Sequence, residues 1–154
     1  MTECWLHETT GEGFFDLPQF LMRPVQNGAS GSLTWTLAGS VDLDVSYPGG
    51  CTRCTGLVQV DQKDGSYKLT KDFYNLGQFS KFVKQGAKYL NVEGDYVWDD
   101  GTGIESAGFV NNDGTVVLIV MNKFSDDIHL TLKTEVGKDV EGKLKARSLS
   151  TWLI

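Results

Sequence analysis

Hydrophobic positions along this chain recur with two different periods, and the change comes near residue 104. From there the sequence alternates apolar and polar residues through ESAGFVNNDGTVVLIVMNKFSDDIHLTLKT and again in LKARSLSTWLI, which predicts a run of antiparallel strands. Asp113 and Gly114 fall between two such runs, residues 107–110 and 116–121, and predict a hairpin turn because Asp-Gly readily supplies positive φ. Before that point one helical pattern stands out. In residues 73–83 (FYNLGQFSKFV), Phe73, Leu76, Phe79, Phe82 and Val83 follow at spacings of three and four and form one aromatic and apolar face, read as core packing. Asp72 is placed to cap its start, Gly77 weakens it, and Gly86 is placed to end it. Residues 32–38 (SLTWTLA) predict a short buried strand, and residues 55–61 (TGLVQVD) an extended segment. Residues 14–25 (FFDLPQFLMRPV) are apolar too, but Pro18 and Pro24 argue against a single straight helix. An early helix followed by a later sheet implies two layers or two subdomains.

Composition places the 154 residues in the globular range, with 40% hydrophobic and 22% charged residues, and no run of about 18 apolar residues that could span a bilayer. A net charge of −6 with dispersed Lys and Arg excludes a nucleic-acid surface, which draws its affinity from clustered bases. The opening MTECWLHETT has no signal-peptide pattern. Three cysteines cannot all pair within one molecule, and Cys51 and Cys54 form a CTRC pair in a Gly-rich turn. A short disulfide between them leads the readings, ahead of free thiols. Zinc would have to recruit Cys4, His7 and His129 at irregular spacing, and redox catalysis would need a helix where TGLVQVD stands. No metal or other cofactor is expected.

Several residues invite a chemical reading. Glu3 is a carboxylate in an otherwise uncharged stretch of fair strand propensity, unusual because a buried charge is costly unless paired, although a solvated terminus explains it equally simply. Tyr96 and Trp98 in GDYVWDDG could offer an aromatic face to a sugar ring or pack under a loop. His129 reads as an ordinary strand residue and Trp152 as core.

Three segments together resemble one family. FYNLGQFSKFVKQGA at residues 73–87 is similar to the last barrel helix of glycoside hydrolase family 30. GFVNNDGTVVLIVMNK at residues 108–123 resembles the hairpin of that family's β-sandwich, and RSLSTWLI resembles its closing strand. The resemblance implies a fold made of an α/β barrel remnant, the last strands and helix of a TIM barrel in residues 1–90, plus a C-terminal antiparallel β-sandwich in residues 91–154. It places Glu3, in TEC, at the nucleophile that ends the seventh barrel strand, and Trp35, in SLTWTLA, at a sugar subsite on the eighth. From the residues themselves, His7 could neighbour the sugar or merely cap a turn on an exposed loop, and Trp98 joins it among the candidate substrate-binding residues. The CxxC pair followed by GLV-x-VD resembles fungal members acting on β-1,6-linked glucans or galactans more than glucosylceramidases.

The same resemblance implies retaining hydrolysis of a carbohydrate or glycolipid outside the cell, in which Glu3 attacks the anomeric carbon and a second Glu acts as acid and then base. In the family that second Glu ends the fourth barrel strand, whereas only two residues precede Glu3 here. The chain is therefore expected to be a fragment with a nucleophile and no acid/base. Glu8 and Glu12 lie on the same connecting loop as Glu3, with no scaffold to hold them across from it. The alternative is a non-catalytic, carbohydrate-associated sandwich module.

Overall fold

The computed structural model describes residues 4–5, 15–42, 55–134 and 139–154. The chain divides into two compact units, Met1–Gly77 and Gln78–Ile154.

In the first unit, β1 (Cys4–Trp5) and β2 (Thr34–Trp35) pair in parallel and are separated in sequence by helix α1 (Asp16–Gln26). Parallel neighbours require a crossover, and α1 supplies it. The helix forms despite its prolines, contrary to the expectation from the sequence. Pro18 lies in the first turn, where backbone N–H groups have no intrahelical acceptor anyway, and Pro24 forfeits one bond only two residues before the helix ends. The Asn27 side chain closes that end by donating to the Arg23 carbonyl at 2.8 Å. Leu17, Pro18 and Met22 are buried, and Leu17 packs with Leu57, Phe20, Leu21 and Leu76. A second small sheet joins β3 (Ala38–Ser40) in parallel to β4 (Val58–Val60), which pairs antiparallel with β5 (Tyr67–Leu69).

Helix α2 (Lys71–Ser80) starts two residues earlier and ends three earlier than its apolar pattern predicts. Asp72 sits inside its first turn rather than at its cap. Thr70, just ahead of it, anchors the start: its N–H donates to the Leu57 carbonyl at 3.0 Å, and its hydroxyl reaches the Gly56 and Leu57 carbonyls. The buried line along α2 is Asp72, Asn75 and Phe79, with Leu76 beside it, while Phe73 is 39% exposed. Gly86 has φ of 84° and serves the turn beyond the helix.

The second unit is a sandwich. Its main sheet runs in the order β12 (Ser148–Leu153), β9 (Val116–Asn122), β8 (Gly103–Val110), β6 (Lys88–Leu90), with β7 (Tyr96–Val97) pairing with the early part of β8. The facing layer is the hairpin β10 (Ile128–Leu132) and β11 (Val140–Leu144). Leu118, Val120 and Leu144 form the buried centre between them, with Ile104, Ile128, Leu130, Leu132 and Trp152 packed against it. Trp152 lies over Gly142, where an added Cβ would come within 2.7 Å of the indole. The opposite face of the main sheet is closed as well: Ala107, Val117, Ile119 and Met121 are fully buried, which explains the unbroken apolar run VVLIVM.

Two side chains replace missing ladder bonds in this unit. β6 and β7 pair with separate parts of β8 and leave Ser106 between them, and the Asp95 carboxylate accepts both the Ser106 N–H, at 3.0 Å, and its hydroxyl. The buried Asn122 amide donates to the Asp126 and Lys145 carbonyls and accepts from the Phe124 N–H, tying β9 to the loop and to the end of β11.

Three turns share the pattern Asp-Gly-Ser/Thr at residues 64–66, 100–102 and 113–115. In each, the Asp side chain accepts the N–H of the residue two positions on, at 2.8 to 2.9 Å, and glycine adopts positive φ. The hairpin expected at Asp113 and Gly114 is the last of them, closing the register Val110↔Val116.

Candidate functional site

Glu3, His7, Cys51 and Cys54 lie outside the described residues, as do Glu8 and Glu12. What the structure shows of the expected catalytic region is the strand pair beside Glu3. Cys4, the next residue in sequence, pairs with Thr34, and Trp5 pairs with Trp35. Parallel registration thus brings the segment just after Glu3 level with the segment that carries Trp35. The strand expected to be buried in residues 32–38 is short and open: Leu33, Trp35 and Leu37 are 68%, 50% and 70% exposed. Among the described residues β1 is the one sheet neighbour of β2, so these alternating side chains meet solvent rather than a core. The peptide bond from Trp35 to Thr36 is cis.

Trp98 belongs to the second unit and is also exposed. It opens the turn after β7, and its ring centroid stands 5.3 Å from that of Tyr96 with the planes nearly perpendicular. The packing under a loop that is the commoner fate of such residues does not occur here. Trp152 occupies the core as expected, and His129 points outward from β10.

Among the described carboxylates, burial pushes the Asp72 carboxyl above its ordinary value, with Asp16 adding to the rise while Lys71 and the Asn75 hydrogen bond oppose it. Raised proton affinity suits a general acid, but such a group must also reach a substrate, and Asp72 is only 6% exposed, with Oδ1 lacking a hydrogen-bond partner. It belongs to the interior of α2's first turn. Asp127 is held far below the usual carboxylate range by Lys143, the Ala146 N–H and Lys145, an exposed network across β10 and β11. The buried ion pair of Glu105 and Lys123, 2.6 Å apart, was not legible in advance, because alternation predicts only which face each residue takes. Among the described residues no three His, Cys, Asp or Glu side chains come together as metal ligands, and no helix is long and apolar enough to cross a membrane.

Residues 86–152 match the glycosyl hydrolase family 30 beta sandwich domain. That sandwich domain is what the chain shares with glycosyl hydrolase family 30. Over its full length the chain is 36% identical to the endo-1,6-beta-D-glucanase of Neurospora crassa and 37% identical to endo-1,6-beta-D-glucanase neg1 of Aspergillus fumigatus, covering 33% and 31% of those proteins. It thus spans about a third of the length of the curated relatives it matches, and corresponds to their C-terminal part. The solved structure of an endo-beta1,6-glucanase superposes with a TM-score of 0.82 at 21% identity, over 99% of this chain and 34% of that one, so the fold extends through both units.

Proposed function

We propose that this chain is the C-terminal part of a retaining β-glycoside hydrolase acting on a β-linked glucan, with Glu3 as its nucleophile. The observation that carries the proposal is the match along the entire chain to two proteins named as endo-1,6-beta-D-glucanases. On this reading β1, α1 and β2 are the seventh strand, its helix and the eighth strand of a barrel, and the sandwich begins with β6. The parallel pairing of β1 with β2 across a helix supports that assignment. So does the exposure of Leu33 and Leu37 on either side of Trp35, apolar side chains that the rest of a closed barrel would cover.

Chemically, the Glu3 carboxylate attacks the anomeric carbon while an acid protonates the departing glycosidic oxygen. The same group, now a base, activates the water that releases the sugar from Glu3. The two carboxyls must stand about 5 to 5.5 Å apart for this sequence of steps. We assign the acid/base to a residue outside these 154 positions, Trp35 to the floor of a sugar subsite, and His7 to its edge. A disulfide between Cys51 and Cys54 and action outside the cell complete the proposal.

A mechanism-based cyclitol epoxide, which esterifies the nucleophile of retaining glycosidases, tests it. Peptide mass spectrometry should find the label on Glu3 and lose it in Glu3→Gln. A label on Glu8 or Glu12, or no label on a chain completed with its upstream residues, would overturn the assignment.

A further inference from the structure

The sandwich unit builds the same turn twice and uses it differently. Trp98–Thr102 reads WDDGT and Asn111–Thr115 reads NNDGT. In both, the first residue's N–H donates to the threonine carbonyl at 2.9 Å, and the glycine N–H donates back to the first residue's carbonyl at 2.8 and 2.9 Å. The aspartate accepts the threonine N–H at 2.9 Å in both. Geometry therefore asks nothing of the first side chain. In the second turn it is Asn111, 5% exposed, which accepts from the Lys84 N–H and donates to the Phe82 carbonyl. In the first it is Trp98, 53% exposed, and the turn gives no reason for an indole there.

Tyr96 adds a second ring. It is 57% exposed and stands at 88° to Trp98, so the two make a corner, one ring as floor and the other as wall. The corner is held in place: Tyr96 pairs with Ile104, and the Trp98 N–H and carbonyl are both bonded within the turn. Tyr89, Phe109 and Trp152 of the same unit instead pack into its layers. Presenting two large rings to water forgoes the stabilisation that their burial would bring.

The charges around the corner narrow what it can hold. Residues 89–102 contain Glu93, Asp95, Asp99 and Asp100 and no Lys or Arg. Asp95 is engaged with Ser106 and Asp100 with Thr102, which leaves Asp99, the residue after Trp98, exposed. Carboxylates repel phosphates and uronic acids but accept hydrogen bonds from hydroxyls. An apolar ring face beside acceptors fits a neutral pyranose, whose C–H face can lie on an aromatic ring while its hydroxyls donate at the edge. We infer that Tyr96, Trp98 and Asp99 form a binding corner for a neutral sugar ring on the sandwich unit. The choice of a β-1,6-linked glucan as its ligand rests on the hydrolase reading proposed above; the corner does not depend on Glu3.

The experiment is a titration of the intact chain, with ¹⁵N-labelled tryptophan, by a β-1,6-linked gluco-oligosaccharide, followed through the indole N–H resonances. The Trp98 resonance, identified by its absence in Trp98→Phe, should shift saturably. Trp98→Ala and, separately, Tyr96→Ala should each raise Kd at least tenfold while the remaining amide spectrum keeps its dispersion. A response confined to Trp35, no response at all, or a response to choline but not to the oligosaccharide would each overturn the inference, the last by showing a cage for a cation. Epoxide labelling of Glu3 is scored separately. A labelled Glu3 with a silent Trp98 refutes the corner alone, and a responsive Trp98 with no label on the chain completed with its upstream residues refutes the hydrolase reading alone.

Discussion

Replacing Gly142 with alanine puts one methyl group where the two sandwich layers meet. Gly142 lies on β11 opposite Leu130, and the new carbon would stand 2.7 Å from Cη2 and 2.9 Å from Cζ2 of Trp152. Neither a backbone strand nor a rigid indole can yield by much, so either the ring must tilt or the hairpin must lift from the sheet. Overpacking of this kind costs about 1–3 kcal/mol. The substitution also reduces the freedom of the unfolded chain, which returns about 0.4–1 kcal/mol. We expect a net loss of about 1–2 kcal/mol, read as a lower urea midpoint at unchanged m. The decisive comparison is the same substitution made in a Trp152→Leu background. Without the indole the clash is gone, and Gly142→Ala should be neutral or stabilising by about 0.5 kcal/mol, a coupling of about 1–2 kcal/mol between the two sites. Equal losses in both backgrounds would refute the reasoning and move the strain elsewhere.

Asp72→Asn should remove a pH dependence: the wild-type carboxyl binds its proton more tightly when folded, so its contribution to stability rises as pH falls from neutrality toward 3.8, and the asparagine variant should lack that rise in thermal unfolding. Asp127→Asn should do the reverse. Its depressed carboxyl stabilises the fold fully above 3.8, so wild type should exceed the variant at pH 7, and the difference should fade as pH drops below 3.8; a constant difference would contradict the lysine network. Asn122→Leu removes three hydrogen bonds of a buried amide, leaving the Lys145 carbonyl its bond from the Ser148 hydroxyl, and should lower stability by about 1–3 kcal/mol in urea unfolding. The 154-residue chain alone should cleave an unactivated β-1,6-glucan about 10² to 10⁴ times more slowly than a form completed with a general acid, whereas a dinitrophenyl glycoside, which needs no acid, should narrow that gap.

The sandwich was legible because its information is local. Alternation assigns the faces of β10, and Asp-Gly fixes the hairpin between β8 and β9 within two residues. Helix α1 was obscured because a proline penalty depends on position, and Pro18 and Pro24 occupy the two tolerant ends. Helix α2 was misread for a different reason. Aromatic periodicity favoured Phe73, while the buried line runs through Asp72 and Asn75, whose burial depends on what surrounds the helix rather than on its own hydropathy. The strand around Trp35 shows the converse: an apolar segment calls for cover, but the cover is a tertiary matter, and here it is absent among the described residues. Neither the Asp95 clasp on Ser106 nor the Glu105–Lys123 pair leaves a periodic trace, since each joins residues 11 and 18 positions apart by side chains alone. As for the site, the roles proposed for Glu3 and Trp35 came from family resemblance, and the Tyr96 and Trp98 pair was visible in GDYVWDDG, but the angle between the two rings needed coordinates.

The three Asp-Gly turns bear on how the molecule ages. An Asp-Gly bond is prone to rearrange because the unhindered glycine nitrogen can attack the aspartyl side-chain carbon, expelling water and forming a succinimide that reopens as isoaspartate. In these turns the aspartate oxygen is turned toward the N–H two residues on, and the nitrogens of Gly65, Gly101 and Gly114 donate back to the carbonyls of Asp61, Trp98 and Asn111. Nucleophile and electrophile are thus both engaged in hydrogen bonds while the turns stay closed. Isoaspartate at residues 64, 100 and 113 should therefore accumulate only during moments of opening, which makes it a chemical clock for how often each hairpin frays in storage.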